Sequence, residues 1–131
     1  VIGVDSTREP AKLLPAYDDA QGVTAKFNLN LLRRINGELG GDFVLEQFAH
    51  QVRFMADQDR LEMHLVSRVP QTVRVAAQTF AFAAGETIHT ENCHKYTRAQ
   101  FEALALASGW GCVNRWSASD QGFGLYLLRC R

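Results

Sequence analysis

The stretch GETIHTENCHKYT, residues 85–97, carries a strand signal that is followed directly by a helix signal. Its alternating residues predict an extended segment after the turn at its first residue. Thr97 and Gln100 then form a capping box, and Tyr96 can pack on Phe101, as at the start of many helices. A strand that runs into a helix is typical of mixed α/β chains, so this stretch sets the fold class.

The two faces of that strand are both polar. Strict alternation places four side chains together on one face: Thr87, His89, Glu91 and Cys93. An edge strand with one solvent-exposed face accounts for this pattern. So does a strand that lines a polar pocket, where the carboxylate of Glu91 accepts a hydrogen bond from a cation or N–H group of a ligand. Periodicity alone leaves both interpretations open.

The same stretch does not predict a metal site or a nucleophile. His89 and Cys93 share a face, but their separation along a strand is about 13 Å, too far to chelate one ion. His94 is expected to point the other way, and a single strand gives Cys93 no imidazole partner for nucleophilic catalysis. We therefore assign no metal ligand and no catalytic residue from the sequence.

Strand and helix signals alternate before this stretch. VIGVD, residues 1–5, predicts a short buried strand of the kind found in parallel sheets. Because a domain rarely begins on such a strand, we expect a further segment to precede it. Ser6 or Thr7 is the expected cap of a first helix, with Pro10 in its first turn. A second helix after Gly22 has an apolar stripe and ends at a left-handed Gly40. The stripe consists of Phe27, Leu31, Ile35 and Leu39.

Residues 42–50 predict a short third helix that carries Phe43 and Phe48. From Val52 the pattern changes to alternation, and residues 52–68 predict two strands around a turn at Asp57–Asp59. Two further short strands follow within residues 71–86. After the helix that starts at Thr97 and is lined by Phe101, Leu104 and Ala105, two last strands flank a turn at residues 119–122. This order predicts an α/β (α+β) chain with a mostly antiparallel block in its middle.

Composition narrows the class of protein. The 131 residues suit one domain with a sizeable core. Lys+Arg (14) balance Asp+Glu (14), so we expect neither nucleic acid nor an anionic membrane as a partner. No apolar run reaches the roughly 20 residues of a membrane helix. The three cysteines lack a CxxC spacing, which favours reduced thiols and a cytoplasmic protein.

Four segments, read together, resemble the C-terminal half of the histidine-specific, S-adenosylmethionine (SAM)-dependent methyltransferases. They are AYDDAQGVTAKFNLNLLRRINGELGGDF, RLEMHLVSR, GETIHTENCHKYT and FEALALASGW. This family methylates the α-amine of histidine in ergothioneine synthesis. The resemblance implies the C-terminal part of a Rossmann-like class I methyltransferase fold with an inserted mixed substrate-binding domain. Residues 1–19 would be a late strand and helix of the methyltransferase sheet. Residues 20–96 would be the substrate-binding domain, and 97–131 a helix and hairpin that return to the sheet.

The resemblance also implies roles for single residues. Tyr17 is similar to the tyrosine that contacts the substrate carboxylate, and Met63 to a methionine that lines the pocket. Glu91 is similar to the acidic residue that holds the imidazole, and Cys93 stands where the family has serine. A cysteine is the weaker hydrogen-bond partner, so another amino-acid substrate is possible. The family's glycine-rich loop for SAM has no counterpart in this sequence, which implies that a missing N-terminal part binds the cofactor.

Two functions from different classes remain open. The chain is either the substrate-recognising half of a methyltransferase, inactive without its cofactor half, or a stand-alone module that binds a ligand or oligomerises. An incomplete sheet has unpaired edges and uncovered apolar faces, so we also expect the isolated chain to self-associate.

Overall fold

The computed structural model describes residues 1–119 and 122–131, and the turn predicted at 119–122 lies partly outside them. Its helices and strands confirm a mixed α/β, or α+β, chain. They are β1 (Ile2–Asp5), α1 (Pro10–Tyr17), α2 (Val23–Leu39), β2 (Phe48–Met55), β3 (Arg60–Ser67), β4 (Gln71–Val75), β5 (Gln78–Phe82), β6 (Thr87–His94), α3 (Arg98–Ala107), β7 (Trp110–Ser117) and β8 (Phe123–Cys130). None of these helices is both long and apolar enough to cross a membrane.

The strands form three antiparallel sheets. β1, β8 and β7 make one sheet in that order, β2, β3 and β6 make the second, and β4 pairs with β5. The first sheet draws its strands from both ends of the chain, and the other two come from the middle. This arrangement follows from hairpin pairing of neighbouring strands, with β8 returning between β7 and β1.

The core of the middle sheet is an aromatic and aliphatic cluster beneath α2. Its buried members are Leu32, Phe43, Phe48, Leu65 and Val73. The rings of Phe43 and Phe48 lie 5.6 Å apart between centroids, and Phe48 and Phe82 lie 5.7 Å apart, both edge to face. This burial of large rings at the preferred geometry stabilises the packing of α2 on the sheet.

The prediction of a helix over residues 42–50 is wrong. Only Leu45–Gln47 form a 3-10 turn, and Phe48 begins β2. Every residue of β2 is paired with β3, from Phe48 opposite Ser67 to Met55 opposite Arg60. The full ladder of backbone hydrogen bonds outweighs the weak local helix signal.

The apolar stripe predicted for α2 is also not its buried face. Phe27 is 69% exposed and Leu39 57% exposed, whereas Asn28 and Leu32 are buried. A row at i, i+4 spacing drifts around a helix of 3.6 residues per turn, so it cannot stay on one face along α2. Of the four predicted residues, Ile35 does pack against the core, together with Leu29 and Leu32.

The start of the chain differs from prediction in two respects. Glu9, not Ser6 or Thr7, is the N-cap of α1 and makes no side-chain cap, although Pro10 does occupy the first turn. β1 pairs with the antiparallel β8 and leaves Ile2 43% exposed, so in this structure it is not a strand buried in a parallel sheet. By contrast, α3 starts with the predicted capping box of Thr97 and Gln100.

Candidate functional site

A β-bulge in β6 decides which of its side chains meet. Cys93 lies opposite Leu61 and Glu91 opposite Met63, but the next pair is His89 with His64. The extra residue is Thr90, whose hydroxyl donates to the Met63 carbonyl at 2.9 Å. A bulge of this kind shifts the alternation by one residue.

The bulge corrects the prediction of a single polar face. Residues directly opposite in an antiparallel pair point to the same side of the sheet, so Glu91 and Cys93 share the face of Met63. Thr87 and His89 lie on the opposite face, with Val66 and His64 as their partners. The four side chains expected on one face are therefore divided between two.

Tyr17 reaches this first face from the end of α1. Its hydroxyl lies 3.0 Å from the Cys93 sulfur. Both side chains pack against a buried cluster formed by Leu13, Leu61 and Met63, in which Met63 is only 2% exposed. Three of the residues singled out from the sequence, Tyr17, Met63 and Cys93, thus lie together, and the exposed Glu91 is the next residue along the same face.

Lys95 completes the group, and sequence reasoning missed it. Its side chain is buried, and Nζ donates to the Tyr17 hydroxyl at 2.9 Å and to Oδ2 of Asp5 at 2.5 Å. A signal was present in the sequence, because alternation from Glu91 and Cys93 extends to Lys95. It went unnoticed because a lysine just beyond a strand is usually solvent-exposed.

Tyr17, Cys93 and Lys95 border a cleft of about 280 Å³, whereas Met63 and Glu91 do not line it. Asp5 and His94 add further polar side chains, and the rest of its wall comes from β1, Tyr96, Phe101 and Phe123. Met63 lies in the packed layer beside Tyr17 and Cys93. The arrangement can hold a small polar molecule through a hydroxyl, a thiol and a fixed ion pair.

The chain matches the family model of histidine-specific, SAM-dependent methyltransferases over residues 1–130. It belongs to that family. The histidine N-alpha-methyltransferase of Mycolicibacterium smegmatis is 40% identical over 129 residues, and that of Mycobacterium tuberculosis is 39% identical. Ergothioneine biosynthesis protein 1 of Neurospora crassa is 27% identical over 142 residues, which are 14% of its length.

The chain spans less than half the length of the mycobacterial relatives that it matches. The alignment covers 97% of the chain but 40% of the length of each mycobacterial protein.

The ionisation of the Asp5–Tyr17–Lys95 group is fixed by its own hydrogen bonds. Burial opposes the charge on Lys95, but its bonds to Asp5 and Tyr17 outweigh burial and raise its pKa above the ordinary range. Burial likewise opposes the charge on Asp5, and the bonds from Lys95 and the Thr7 backbone lower its pKa nonetheless. The two groups therefore form an ion pair at neutral pH.

Tyr17 stays protonated beside this pair. Burial and the contact with Cys93 raise the pKa of its phenol despite the nearby ammonium group. An ammonium group can only donate, so the Tyr17 oxygen accepts from Lys95. The single phenolic proton then remains available to the Cys93 sulfur or to an acceptor on a ligand.

Proposed function

We propose that this chain is the substrate-recognising part of a SAM-dependent amino-acid N-methyltransferase whose substrate is histidine or a histidine-like amino acid. The observation that carries the proposal is the meeting of Tyr17, Met63 and Cys93 beside Glu91. Membership of the family supports the same reaction class.

Different residues of the proposed site bind the two ends of the substrate. The proton of Tyr17 is donated to the substrate carboxylate, and Lys95 holds the phenol in place and adds positive charge nearby. Glu91 accepts a hydrogen bond from the imidazole N–H at the other end, and the buried Met63 supports Tyr17 and Cys93 from the packed layer. A carboxylate in that position discriminates against apolar side chains, since they would leave it without a partner.

Cys93 tunes this specificity. Its thiol is a weak donor and acceptor. The Tyr17 hydroxyl already lies within hydrogen-bond distance of the sulfur, at 3.0 Å. A serine at the same position would offer a stronger partner to an imidazole. We therefore propose that histidine binds more weakly here than to a site with serine, and that related amino acids are accepted as well.

We further propose that β1, β7, β8 and α3 belong to a Rossmann-like methyltransferase sheet, and that residues 20–96 are the inserted substrate-binding domain. The grouping of strands supports this division, because the sheet of β1, β8 and β7 uses only the two ends of the chain. Beside it lies an apolar cleft of about 340 Å³, lined by Val1, Ile2, Leu104, Trp110 and neighbouring residues. In this proposal the cofactor-binding half packs there.

SAM supplies the transferred methyl group when it is bound. The residues around Asp5, Tyr17 and Lys95 offer a hydroxyl, a thiol and an ion pair that is already satisfied. The glycine-rich loop that the family uses for SAM has no counterpart in this sequence. We therefore propose that the cofactor is held by a segment N-terminal to residue 1, and that the chain alone does not transfer methyl groups.

A chimera tests the proposal. The matching C-terminal segment of the M. smegmatis relative is replaced by this chain, and methylated histidine is measured by mass spectrometry with SAM present. We expect the chimera to methylate histidine and the relative without its C-terminal segment to be inactive. A folded chimera without activity on any amino acid would instead favour a stand-alone ligand-binding or oligomerising module.

A further inference from the structure

The face of the β2–β3–β6 sheet opposite Met63 carries a second cluster of polar side chains. Glu62 and His64 are two residues apart on β3, and His89 lies directly opposite His64 because of the bulge. One ligand atom from each of the three side chains lies within 4.8 Å of the others. Oε2 of Glu62 and Nε2 of His64 are 3.0 Å apart, and the two imidazole rings stack with centroids 4.7 Å apart.

Two of these side chains are almost fully covered. Glu62 is 7% exposed and His64 5% exposed. Glu62 can only accept when ionised, so its bond with His64 requires a proton on Nε2. An ion that replaces this proton on Nε2 would keep both side chains where they are, because ligand atoms of one tetrahedral ion have about the same spacing. Nδ1 of His64, which has no hydrogen-bond partner among the residues that the structure describes, would then carry the ring proton.

We propose that Glu62, His64 and His89 bind a divalent transition-metal ion, with Zn²⁺ as the best fit. Two imidazoles and one carboxylate are a common donor set for zinc, and a fourth position stays open to water. Ligand atoms around a tetrahedral ion at 2.0–2.1 Å lie about 3.3 Å apart. The exposed His89 can close the remaining distance by a change of rotamer, while the covered Glu62 and His64 stay in place.

The guanidinium groups around the cluster limit its affinity for a cation. Arg60 occupies Oε1 of Glu62, and Arg53 lies opposite Glu62 on β2. These two guanidinium groups repel a cation, so we expect affinity on the order of micromolar, not nanomolar.

The site is separate from the proposed substrate site. Met63 and Glu91 point to one side of the sheet, and His64 and His89 point to the other. A bound ion would join β3 to β6 at the bulge and would not touch the substrate. The inference therefore stands or falls independently of the proposed methyltransferase function.

The test is a cobalt and zinc titration of the 131-residue chain carrying Cys112→Ser and Cys130→Ser, because exposed thiols bind both metals. We expect one Co²⁺ per chain, with the visible absorption of a tetrahedral nitrogen and oxygen site that Zn²⁺ abolishes. His89→Ala removes one ligand from an exposed position and should weaken binding at least tenfold. His94→Ala, an exposed histidine on the same strand outside the cluster, should bind as tightly as the parent.

Histidine-ring NMR spectra identify the ligands directly. We expect Zn²⁺ to shift the ring signals of His64 and His89 and to leave those of His50 and His94 unchanged. Equal affinity of the His89→Ala and His94→Ala variants, or a thiolate-to-cobalt charge-transfer band in place of the expected spectrum, would overturn the proposal. Absence of stoichiometric binding up to millimolar metal would overturn it as well.

Discussion

Glu91 is the residue whose role is most sharply testable, because it is exposed and its replacement should not disturb the fold. In the chimera, Glu91→Ala removes a charge-assisted hydrogen bond to the imidazole that is worth about 1.5–3 kcal/mol. Calorimetry should show histidine binding weakened roughly ten- to a hundredfold. Asn92→Ala, the neighbour on the opposite face, is the matched control and should bind histidine normally. Unchanged affinity in Glu91→Ala would remove this residue from the site.

A substitution at Cys93 is expected to have the opposite effect on histidine binding. Cys93→Ser replaces a weak hydrogen-bond partner by a strong one, so histidine binding in the chimera should become modestly tighter. The same titrations with other amino acids measure selectivity, which should shift towards histidine. Weaker histidine binding in Cys93→Ser would show that the thiol serves Tyr17 and not the ligand.

Lys95 is expected to govern stability as well as the orientation of Tyr17. Lys95→Met leaves Asp5 and the Tyr17 hydroxyl without their donor. Loss of one partner of a buried pair costs about 3–5 kcal/mol, and the 35% exposure of the Asp5 side chain reduces our expectation to about 2–3 kcal/mol. Denaturant unfolding at pH 7 measures this difference. A loss no larger than that of Lys26→Met, on the exposed side of α2, would contradict it.

The pH dependence of that difference follows from the two shifted pKa values. Lys95 has a raised pKa in the folded state, so its contribution is complete below its ordinary value and is lost as pH rises through the folded pKa. Asp5 has a lowered pKa, so its contribution is complete above the ordinary value of 3.8 and is lost as pH falls through the folded pKa. Unfolding curves should therefore show a constant difference between wild type and Lys95→Met from pH 5 to about pH 9. A difference that changes steeply within this window would contradict the ion pair.

At the scale of single elements, two phenylalanines test which faces of β2 and α2 are packed in the core. Phe48→Ala opens a cavity between Phe43 and Phe82 and should destabilise the chain by about 3–5 kcal/mol. Phe27→Ala acts on the exposed side of α2, where the change should stay within about 0.5 kcal/mol. Denaturant midpoints of the two variants measure both values. A large loss of stability in Phe27→Ala would support the buried apolar stripe that the sequence predicts for α2.

The elements that sequence reasoning predicted well carry local signals. The capping box at Thr97 places the start of α3, Gly40 ends α2 in a left-handed conformation, and alternation marks β3. The errors arise where tertiary pairing decides. The bulge at Thr90 depends on how β6 is paired with β3, and a period-2 pattern within one strand contains no trace of it.

The candidate site shows the same limit. Tyr17, Met63 and Cys93 were singled out by resemblance, and the structure brings them together. Lys95 and the cluster of Glu62, His64 and His89 were not foreseen, because they depend on long-range contacts between α1, β3 and β6. Residues that meet only through the fold cannot be paired from spacing along one chain.

At the scale of the whole molecule, the uncovered apolar surface predicts association. Leu104, Leu106 and Trp110 are each at least 44% exposed. Leu104 and Trp110 line the apolar cleft beside β1. We expect light scattering to show a dimer or a larger species of the isolated chain. Leu104→Glu should shift the chain towards monomer, and Leu39→Glu, at an exposed leucine of α2, is the matched control. A monomeric wild-type chain at high concentration would contradict this expectation.

The isolated chain should also fail to bind the cofactor. Calorimetry with SAM should show no heat of binding to the 131 residues, because the proposed cofactor segment precedes them. The chimera, which contains that segment from the relative, should bind SAM in the same experiment. Micromolar binding of SAM to the isolated chain would overturn the proposal that a preceding segment binds the cofactor.

The central claim is that this chain selects a histidine-like amino acid for methylation. The most direct measurement is a competition assay in which the chimera receives SAM and an equimolar mixture of histidine, phenylalanine, tyrosine and glutamine, with products separated by mass spectrometry. The account predicts that α-N-methylated histidine forms first and that Glu91→Ala abolishes this preference while the chimera stays folded. Preferential methylation of an amino acid without an imidazole, unchanged by Glu91→Ala, would contradict it.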